Sequence, residues 1–318
     1  LMDQILSGEP SPFKALVLTG ANPAMTNPNS LKVRKALGAL ELLVVHELFM
    51  SETAELADYI LPAASYLERS EMHVHGGTQT ITLTDRILTP QPEVTDEYTM
   101  FHELAVRLGA GAYFPWKDED ELNAWLVSDS GVSIETLKAN PSGYRYAPIV
   151  YEKHKQKKEA GEKPFNTPSG KFEFTSAILK EHGYQELAEY IPPKSNEVRP
   201  DRPYTLVTGA RKVMYYHGRN HNLPALASAL PEAEIEMHPA DAARLGVESG
   251  SLVRVTSDIG SVVVPVKVME GDEIGEGVLQ MTHGWKAHNV NEITHDNVFD
   301  PISGFPLMKA VQVSVEPY

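Results

Sequence analysis

Residues 207–222 read VTGARKVMYYHGRNHN and contain His217 and His221, the cations Arg211, Lys212 and Arg219, two adjacent tyrosines and no acid. Two histidines four apart would share a face if this segment were helical, as a ligand pair does. Gly218 lies between them, no acid is close by and HExxH is absent, so the metal reading is the weaker one. A TGAR turn directly after an apolar run can aim backbone N–H groups at a phosphate or a carbonyl oxygen. Arg211 adds a planar fork of donors, and Tyr or His rings can flank a flat heterocycle. A plain β-turn with solvated cations accounts for the segment equally well.

Two other places hold candidate side chains. The HVH stretch would put His73 and His75 on one side of a strand, without an identifiable third ligand, and reads as surface or core histidines. Residues 282–309 are dense in hydrogen-bonding groups: His283, His288, Asn289, Asn291, His295 and Lys309. That stretch is longer and more polar than a connection between strands requires, which favours function. The GxGxxG, P-loop and GxSxG motifs are absent, and the sequence offers no persuasive Ser/His/Asp triad or carboxylate dyad.

The elements that must carry these residues are legible. FKALVLTGANPAMTNPNSLKVRKALGALELLVVHE reads as strand, loop, helix, strand. Ala15 to Leu18 and Leu42 to Val45 form the strands, and Ser30 caps the helix, in which Leu31, Ala36, Leu37 and Leu40 fall near helical spacing. Such a unit implies parallel strands, with ligands beyond their carboxyl ends at Thr19–Asn22 and His46–Glu47. Ser51 or Thr53 would start a short helix that Pro62 stops, and MHVHGGTQTITLTDRIL reads as extended chain. TDEYTMFHELAVRLG reads as a helix with Tyr98, Phe101, Leu104 or Ala105, and Leu108 on one face, ended by Gly109. Residues 110–200 are mostly surface chain, and 192–203, with four prolines, is the candidate linker. Beyond it, short β-branched runs split by Gly and Asp turns predict a barrel or sandwich.

The 318 residues allow two or three domains, and the net charge of −15 argues against a general nucleic-acid binder. Without cysteine there can be no disulfide, thiolate metal site or Cys-ligated iron–sulfur cluster within these residues. No apolar run reaches the ~18–20 residues of a membrane span, and LMDQILSGEP lacks the pattern of a signal peptide.

Taken in order, GANP, VVHELFMSETAELADYILPAASYLER, TDEYTMFHELAVRLG, TGAR…YYHGR, EMHPADAARLGVESGSLVRVTSDIG and HGW…NVNEIT…DPISGFPLMK resemble the large catalytic subunit of the molybdopterin oxidoreductases, the dimethyl sulfoxide reductase and formate dehydrogenase group. The resemblance covers nearly the whole chain and is weakest over 110–200. It implies an α/β plus β fold. Residues 1–85 would end a Rossmann-like parallel domain, residues 86–200 would be return segments completing upstream domains, and residues 203–318 would form a C-terminal double-psi β-barrel. The family's cofactor is a molybdenum or tungsten bis(molybdopterin guanine dinucleotide). On the resemblance, Gly20, Asn22, His46, Glu47, Arg69 and Asp96 would contact the dinucleotide; the family often has Asp where Glu47 stands. Thr208, Gly209, Arg211, Lys212, Val213, Tyr216 and His217 would form the pterin-binding loop, with Arg211 its anchor, and His283, Asn291 and Lys309 would complete it.

The family's metal ligand and any iron–sulfur cysteines lie upstream of these motifs. The chain, which starts at Leu1, is therefore expected to be the C-terminal part of a longer subunit, inactive alone and holding no catalytic residue. Its expected partners are the N-terminal remainder and an iron–sulfur electron-transfer subunit, in a prokaryotic cytoplasm or periplasm. The expected chemistry is two-electron redox or oxygen-atom transfer on a small substrate, with HGW and HGRNH pointing to formate, thiosulfate or polysulfide. A non-redox hydratase fits the same motifs. A non-catalytic binding module and a zinc-dependent hydrolase are the rival classes.

Overall fold

The computed structural model describes residues 1–187, 189–190, 199–209, 212–215, 217–306 and 308–318. Arg211, Tyr216 and most of the candidate linker therefore lie outside the described residues. The chain divides into two compact units, Leu1–Ala63 with Pro193–Tyr318, and Ala64–Pro192.

In the first unit, β1 (Ala15–Thr19), β2 (Leu42–Glu47) and β3 (Tyr59–Pro62) form a parallel sheet with β2 in the middle. Register places Thr19 beside His46 and Glu47 beside Pro62, so the strands end together. Helices α1 (Met2–Ser7), α2 (Pro23–Thr26) and α3 (Ser30–Leu37) accompany the sheet. Val33, Ala36 and Leu37 of α3 pack on Leu43 and Val45 of β2. Burial of a Leu side chain of this kind stabilises by about 1.5–3 kcal/mol.

Three details depart from the sequence reading. Asn29, not Ser30, caps α3: its side chain accepts the Lys32 N–H, while Ser30 is buried inside the helix start. After Ser51 there is a single 3₁₀ turn, Ala54–Leu56, rather than a helix running to Pro62. Residues 59–62 extend instead because they pair with β2, and Pro62, which lacks an N–H, is tolerated at the end of an edge strand.

The rest of this unit is a closed barrel of six strands: β7 (Tyr204–Val207), β8 (Ile235–Met237), β9 (Leu252–Thr256), β10 (Ser261–Val268), β11 (Val278–Met281) and β12 (Val311–Pro317). Their order around the ring is β10-β8-β11-β7-β12-β9. β8 and β10 pair in parallel, as do β7 and β11; the other pairings are antiparallel. Alternate residues point inward, among them Val253 and Val255, Val262, Val264 and Val266, and Val311, Val313 and Val315. This period of two, carried by β-branched residues, is why the segments are strands, and closure leaves the ring no unpaired edge.

In the second unit, β4 (Glu71–His75), β5 (Thr80–Thr84) and β6 (Tyr144–Arg145) form an antiparallel sheet. Ile81, Leu83, Val127, Val132 and Leu137 make its core. Helix α4 (Glu97–Arg107) forms as read, but it buries Tyr98, Met100 and Ala105 and leaves Phe101, Leu104 and Leu108 exposed. Helix α5 (Glu119–Val127) starts at a buried acid. Among the described residues no helix is long and apolar enough to cross a membrane.

That acid, Glu119, accepts the Ser70 N–H at 3.0 Å, and Arg86 lies 3.7 Å away. Burial raises its pKa from an ordinary 4.5 to about 7, against the opposing pull of the Ser70 bond, Arg69 and Arg86. The folded chain keeps a proton here that the unfolded chain gives up. Stability therefore falls as pH rises from 4.5 to about 7 and levels off above. Glu119→Gln, whose amide oxygen can still accept from Ser70, is expected to lack this slope and to exceed wild type at pH 8 by about 1–3 kcal/mol. Urea denaturation at pH 5 and pH 8 checks this; a wild-type component at this position that gains stability across the window would refute it.

Candidate functional site

The barrel topology gathers one set of candidate residues. β7 and β11 are parallel neighbours, Val207 beside Gln280, so the chain leaves both strands at the same rim. The loop after β7 carries Thr208 to His217, and the loop after β11 carries His283. β12 is antiparallel to β7, so its start, just after Lys309, reaches the same rim, as does the start of β8. Contacts follow from this arrangement. Thr208 Oγ1 donates to the Met308 carbonyl at 2.8 Å. Lys309 lies over Gly209, where an added Cβ would come within 3.0 Å of its Cε. Lys212 Nζ pairs with Glu236 of β8 at 2.5 Å. His217 Nδ1 and His283 Nε2 are hydrogen-bonded at 2.6 Å, with the tautomer deciding which ring donates. Val213 is fully exposed.

His217 has φ +56°, an uncommon conformation for a residue with a Cβ. Its carbonyl accepts from His221 Nε2 at 3.3 Å. The His221 ring stacks on Tyr215 with centroids 4.0 Å apart, and Trp285 stands edge-on to both. Burial pushes the His221 imidazolium pKa down, opposed by the bond to His217 and by the charge of Glu52. His217 and His221 thus sit in a turn, not on a helix face. Among the described residues no group of three or more His, Cys, Asp or Glu side chains could hold a metal ion.

The carboxyl ends of β1 and β2 gather a second set. Gly20 has φ +54° with open space where a Cβ would be, and its N–H donates to the His46 carbonyl. His46 is fully buried, and the Glu47 carboxylate accepts the Leu48 N–H at 2.8 Å. Asn22 Oδ1 accepts from Thr53 N–H at 3.2 Å and Thr53 Oγ1 at 2.8 Å, while its Nδ2 donates to Glu52 at 2.6 Å.

Buried amides join the two sets. Asn291 Nδ2 donates to the Met25 carbonyl at 2.9 Å, and Asn289 Nδ2 to Ser30 Oγ at 3.3 Å. Asp296 accepts from Asn29 and Lys32, and Lys286 pairs with Glu55. Arg69 and Asp96 belong to the second unit and have partners there. Arg69 pairs with Glu71 and Glu97, and Asp96 caps α4 through Thr99. His73 and His75 lie side by side on β4, ring centroids 6.1 Å apart, and are exposed.

Sequence reasoning did not single out Glu52, Thr53, Tyr215 or Trp285. Thr53 read there, with Ser51, only as a helix start, and Glu52 had no reading; the signal for their role was an Asn at one strand end with an acid–hydroxyl pair after the next strand.

A parallel α/β sheet whose strand ends meet the rim of a closed barrel places the chain among α/β proteins that carry ligands beyond their strand ends. Comparison with known proteins narrows the class. Residues 3–107 match the molybdopterin oxidoreductase family model, and residues 204–312 match the molybdopterin dinucleotide binding domain. The chain belongs to the molybdopterin oxidoreductases, and its closed barrel is the double-psi barrel of that family. It is 30% identical over 292 residues to acetylene hydratase of Syntrophotalea acetylenica, covering 89% of this chain and 38% of that protein. It is 30% identical over 310 residues to the F420-dependent formate dehydrogenase subunit alpha of Methanocaldococcus jannaschii, covering 96% and 43%. The solved structure of acetylene hydratase from Pelobacter acetylenicus superimposes with TM-score 0.85 at 26% identity, over 100% of this chain and 46% of that one. The chain spans less than half the length of these relatives.

The residues present suit such a cofactor. The indole N–H of Trp285 is buried with no acceptor among the described residues, a cost of about 1–3 kcal/mol when left unmet. Lys309 adds a cationic donor over Gly209 at the barrel rim, of a kind that suits carbonyl and phosphate oxygens, and Gly20 leaves room for close approach at the strand ends.

Proposed function

We propose that this chain is the C-terminal cofactor-binding part of a molybdenum or tungsten bis(molybdopterin guanine dinucleotide) enzyme. The enzyme performs two-electron redox chemistry or oxygen-atom transfer on a small substrate of the formate or thiosulfate/polysulfide type. The observation that carries the reading is the buried bond from Asn291 to the Met25 carbonyl, which ties the barrel rim to the strand ends of the α/β sheet. When bound, the metal and its dithiolenes supply the electron chemistry. The chain's own residues bind and orient. Gly20, Asn22, His46 and Glu47 receive the nucleotide end, and Arg69 and Asp96 add contacts to it. Thr208, Gly209, Arg211, Lys212, Val213, Tyr216, His217, His283, Asn291 and Lys309 receive the pterin. The hydrogen bond between His217 and His283 presents the two rings to the pterin as one pair.

In the same proposal, residues 86–200 are return segments completing domains outside this chain. The partners are the N-terminal remainder of the subunit and an iron–sulfur subunit, which the designation of one relative as subunit alpha supports. The likeness to acetylene hydratase favours a second reading, hydration without net redox change.

The test is the intact mass and the molybdenum and tungsten content of the untagged polypeptide from its native source. A longer chain or a tight complex with about one Mo or W is expected. A mass near 35.1 kDa with neither metal overturns the reading. Substrate-dependent reduction or oxidation of a viologen dye separates the redox reading from the hydratase.

A further inference from the structure

We infer that residues 151–174 form a peripheral membrane-binding surface whose ligand is the anionic headgroup layer of a lipid bilayer. The segment YEKHKQKKEAGEKPFNTPSGKFEF holds six lysines, four acids and no arginine, in a chain whose net charge is −15. It folds back on itself within the second unit. A helix, Lys153–Glu159, buries none of its residues. The chain reverses after it, with the Glu162 N–H donating to the Lys157 carbonyl at 2.8 Å. The His154 ring then stacks on Phe165 at 5.5 Å; Phe165 meets Phe172 edge-on at 5.9 Å, and Phe172 meets Phe174 edge-on at 5.2 Å. The Lys163 stem lies against Gly170.

This lobe gathers unspent charge and uncovered rings in one place. Among the described residues Lys153, Lys157, Lys158, Lys163 and Lys171 make no ion pair, and outside the lobe only Lys35 and Lys309 share that condition. Of the four acids, Glu152 pairs with Lys155, and Glu173 accepts from the Ser169 N–H and hydroxyl, which leaves Glu159 and Glu162 to oppose five lysines. Tyr151, Phe172 and Phe174 are 79%, 64% and 84% exposed and belong to no core cluster.

Free lysines beside exposed rings suit a bilayer surface. Each lysine is drawn to anionic headgroups within a Debye length, about 8 Å at physiological salt, and the same screening confines repulsion by the acidic remainder of the chain. Aromatic rings settle at the headgroup–acyl boundary. A nucleic acid would call for the bidentate fork of arginine, and stable protein interfaces are depleted in lysine. The helix carries no large apolar side chain, so the lobe rests on the membrane through headgroup contacts and rings rather than by inserting a helix.

The test is co-sedimentation of the full-length protein with vesicles. Wild type is expected to bind vesicles of phosphatidylglycerol and phosphatidylcholine at low salt, to come off as salt rises and to ignore phosphatidylcholine alone. Lys157→Glu with Lys158→Glu should lower the partition coefficient about tenfold or more. Phe174→Ala should weaken binding at every salt concentration, because an apolar contribution is not screened. Far-UV circular dichroism checks folding. If the lysine pair fails to fold, Lys153→Gln with Lys163→Gln takes its place, with loss of binding again expected. Wild type that stays in the supernatant at low salt overturns the inference, as does binding that the lysine variants leave unchanged. Full binding by Phe174→Ala overturns the role of the rings. Retention on heparin or on an acidic protein without binding to vesicles overturns the lipid assignment in favour of another polyanion.

Discussion

Gly284→Ala should lower the stability of the barrel-bearing unit by about 3 kcal/mol or more, because two costs fall on one methyl group. Gly284 has φ +116°, where an L-residue is strained. The added Cβ would also meet the carbonyl oxygen of His217 at less than contact distance and lie 3.2 Å from His221 Nε2. Neither neighbour can retreat freely. The His217 carbonyl belongs to backbone already held at positive φ, and the His221 ring is stacked on Tyr215. The variant should therefore unfold at lower urea and, where it folds, should release His217 from His283. A shifted denaturation midpoint together with altered imidazole resonances of both histidines is the expected signature. A variant as stable as wild type would mean that the two loops do not touch in solution.

Asn291→Leu should cost a similar amount, about 3–4 kcal/mol, for a different reason. Asn291 is fully buried; its Nδ2 bonds the Met25 carbonyl and its Oδ1 accepts from Thr294 Oγ1 at 3.1 Å. Leucine fills the volume but leaves the buried Met25 carbonyl without its donor and leaves the Thr294 hydroxyl only its longer, 3.4 Å bond to the backbone carbonyl of residue 291. Asn291→Asp keeps an acceptor for Thr294 and loses the donor to Met25, so it should be destabilised as well, and more so above the carboxyl pKa. Denaturation of cofactor-free protein measures both. Loss of cofactor with no loss of stability would leave Asn291 its proposed contact to the pterin alone and refute its role as a strut between the two parts of the unit.

The strands were legible wherever aliphatic or β-branched runs end at Gly, Asn or Asp. β1, β7, β9, β10 and β11 have that form, whereas β8 (Ile235–Met237), with a glutamate between two apolar residues, was not read as a strand. β3 was not legible: ADYILP has no alternation, and its extended state comes from pairing with Val44 to Glu47, which lie beside it only in the folded sheet. The helix face of α4 was misjudged because a sequence shows which residues are apolar and not which side of the helix meets a partner. Local pattern left barrel and sandwich open, since sequence marks a strand without naming its neighbours, and it was the resemblance that supplied the barrel. For the site, the anion and turn readings of residues 207–222 were level on local chemistry, and the resemblance supplied the remaining residues. The His217–His283 bond depends on β7 and β11 being adjacent and parallel, which only the folded chain displays. Asn22 was legible through its strand-end position. Its dependence on Glu52 and Thr53 was not, because those residues arrive from the next crossover.

The parallel pairing of β7 and β11 has an engineering corollary. Residues 208–222 and 282–306 behave as two cassettes plugged into one socket, whose contacts run along Val278, Leu279 and Gln280 beside Thr205, Leu206 and Val207. Since the socket is a ring without loose edges, both cassettes could be exchanged together for those of a relative while the frame stays as it is. Exchanging one alone would strand His217 or His283 without its mate. Diversification among such chains is then paired, each cassette constraining what the other can become.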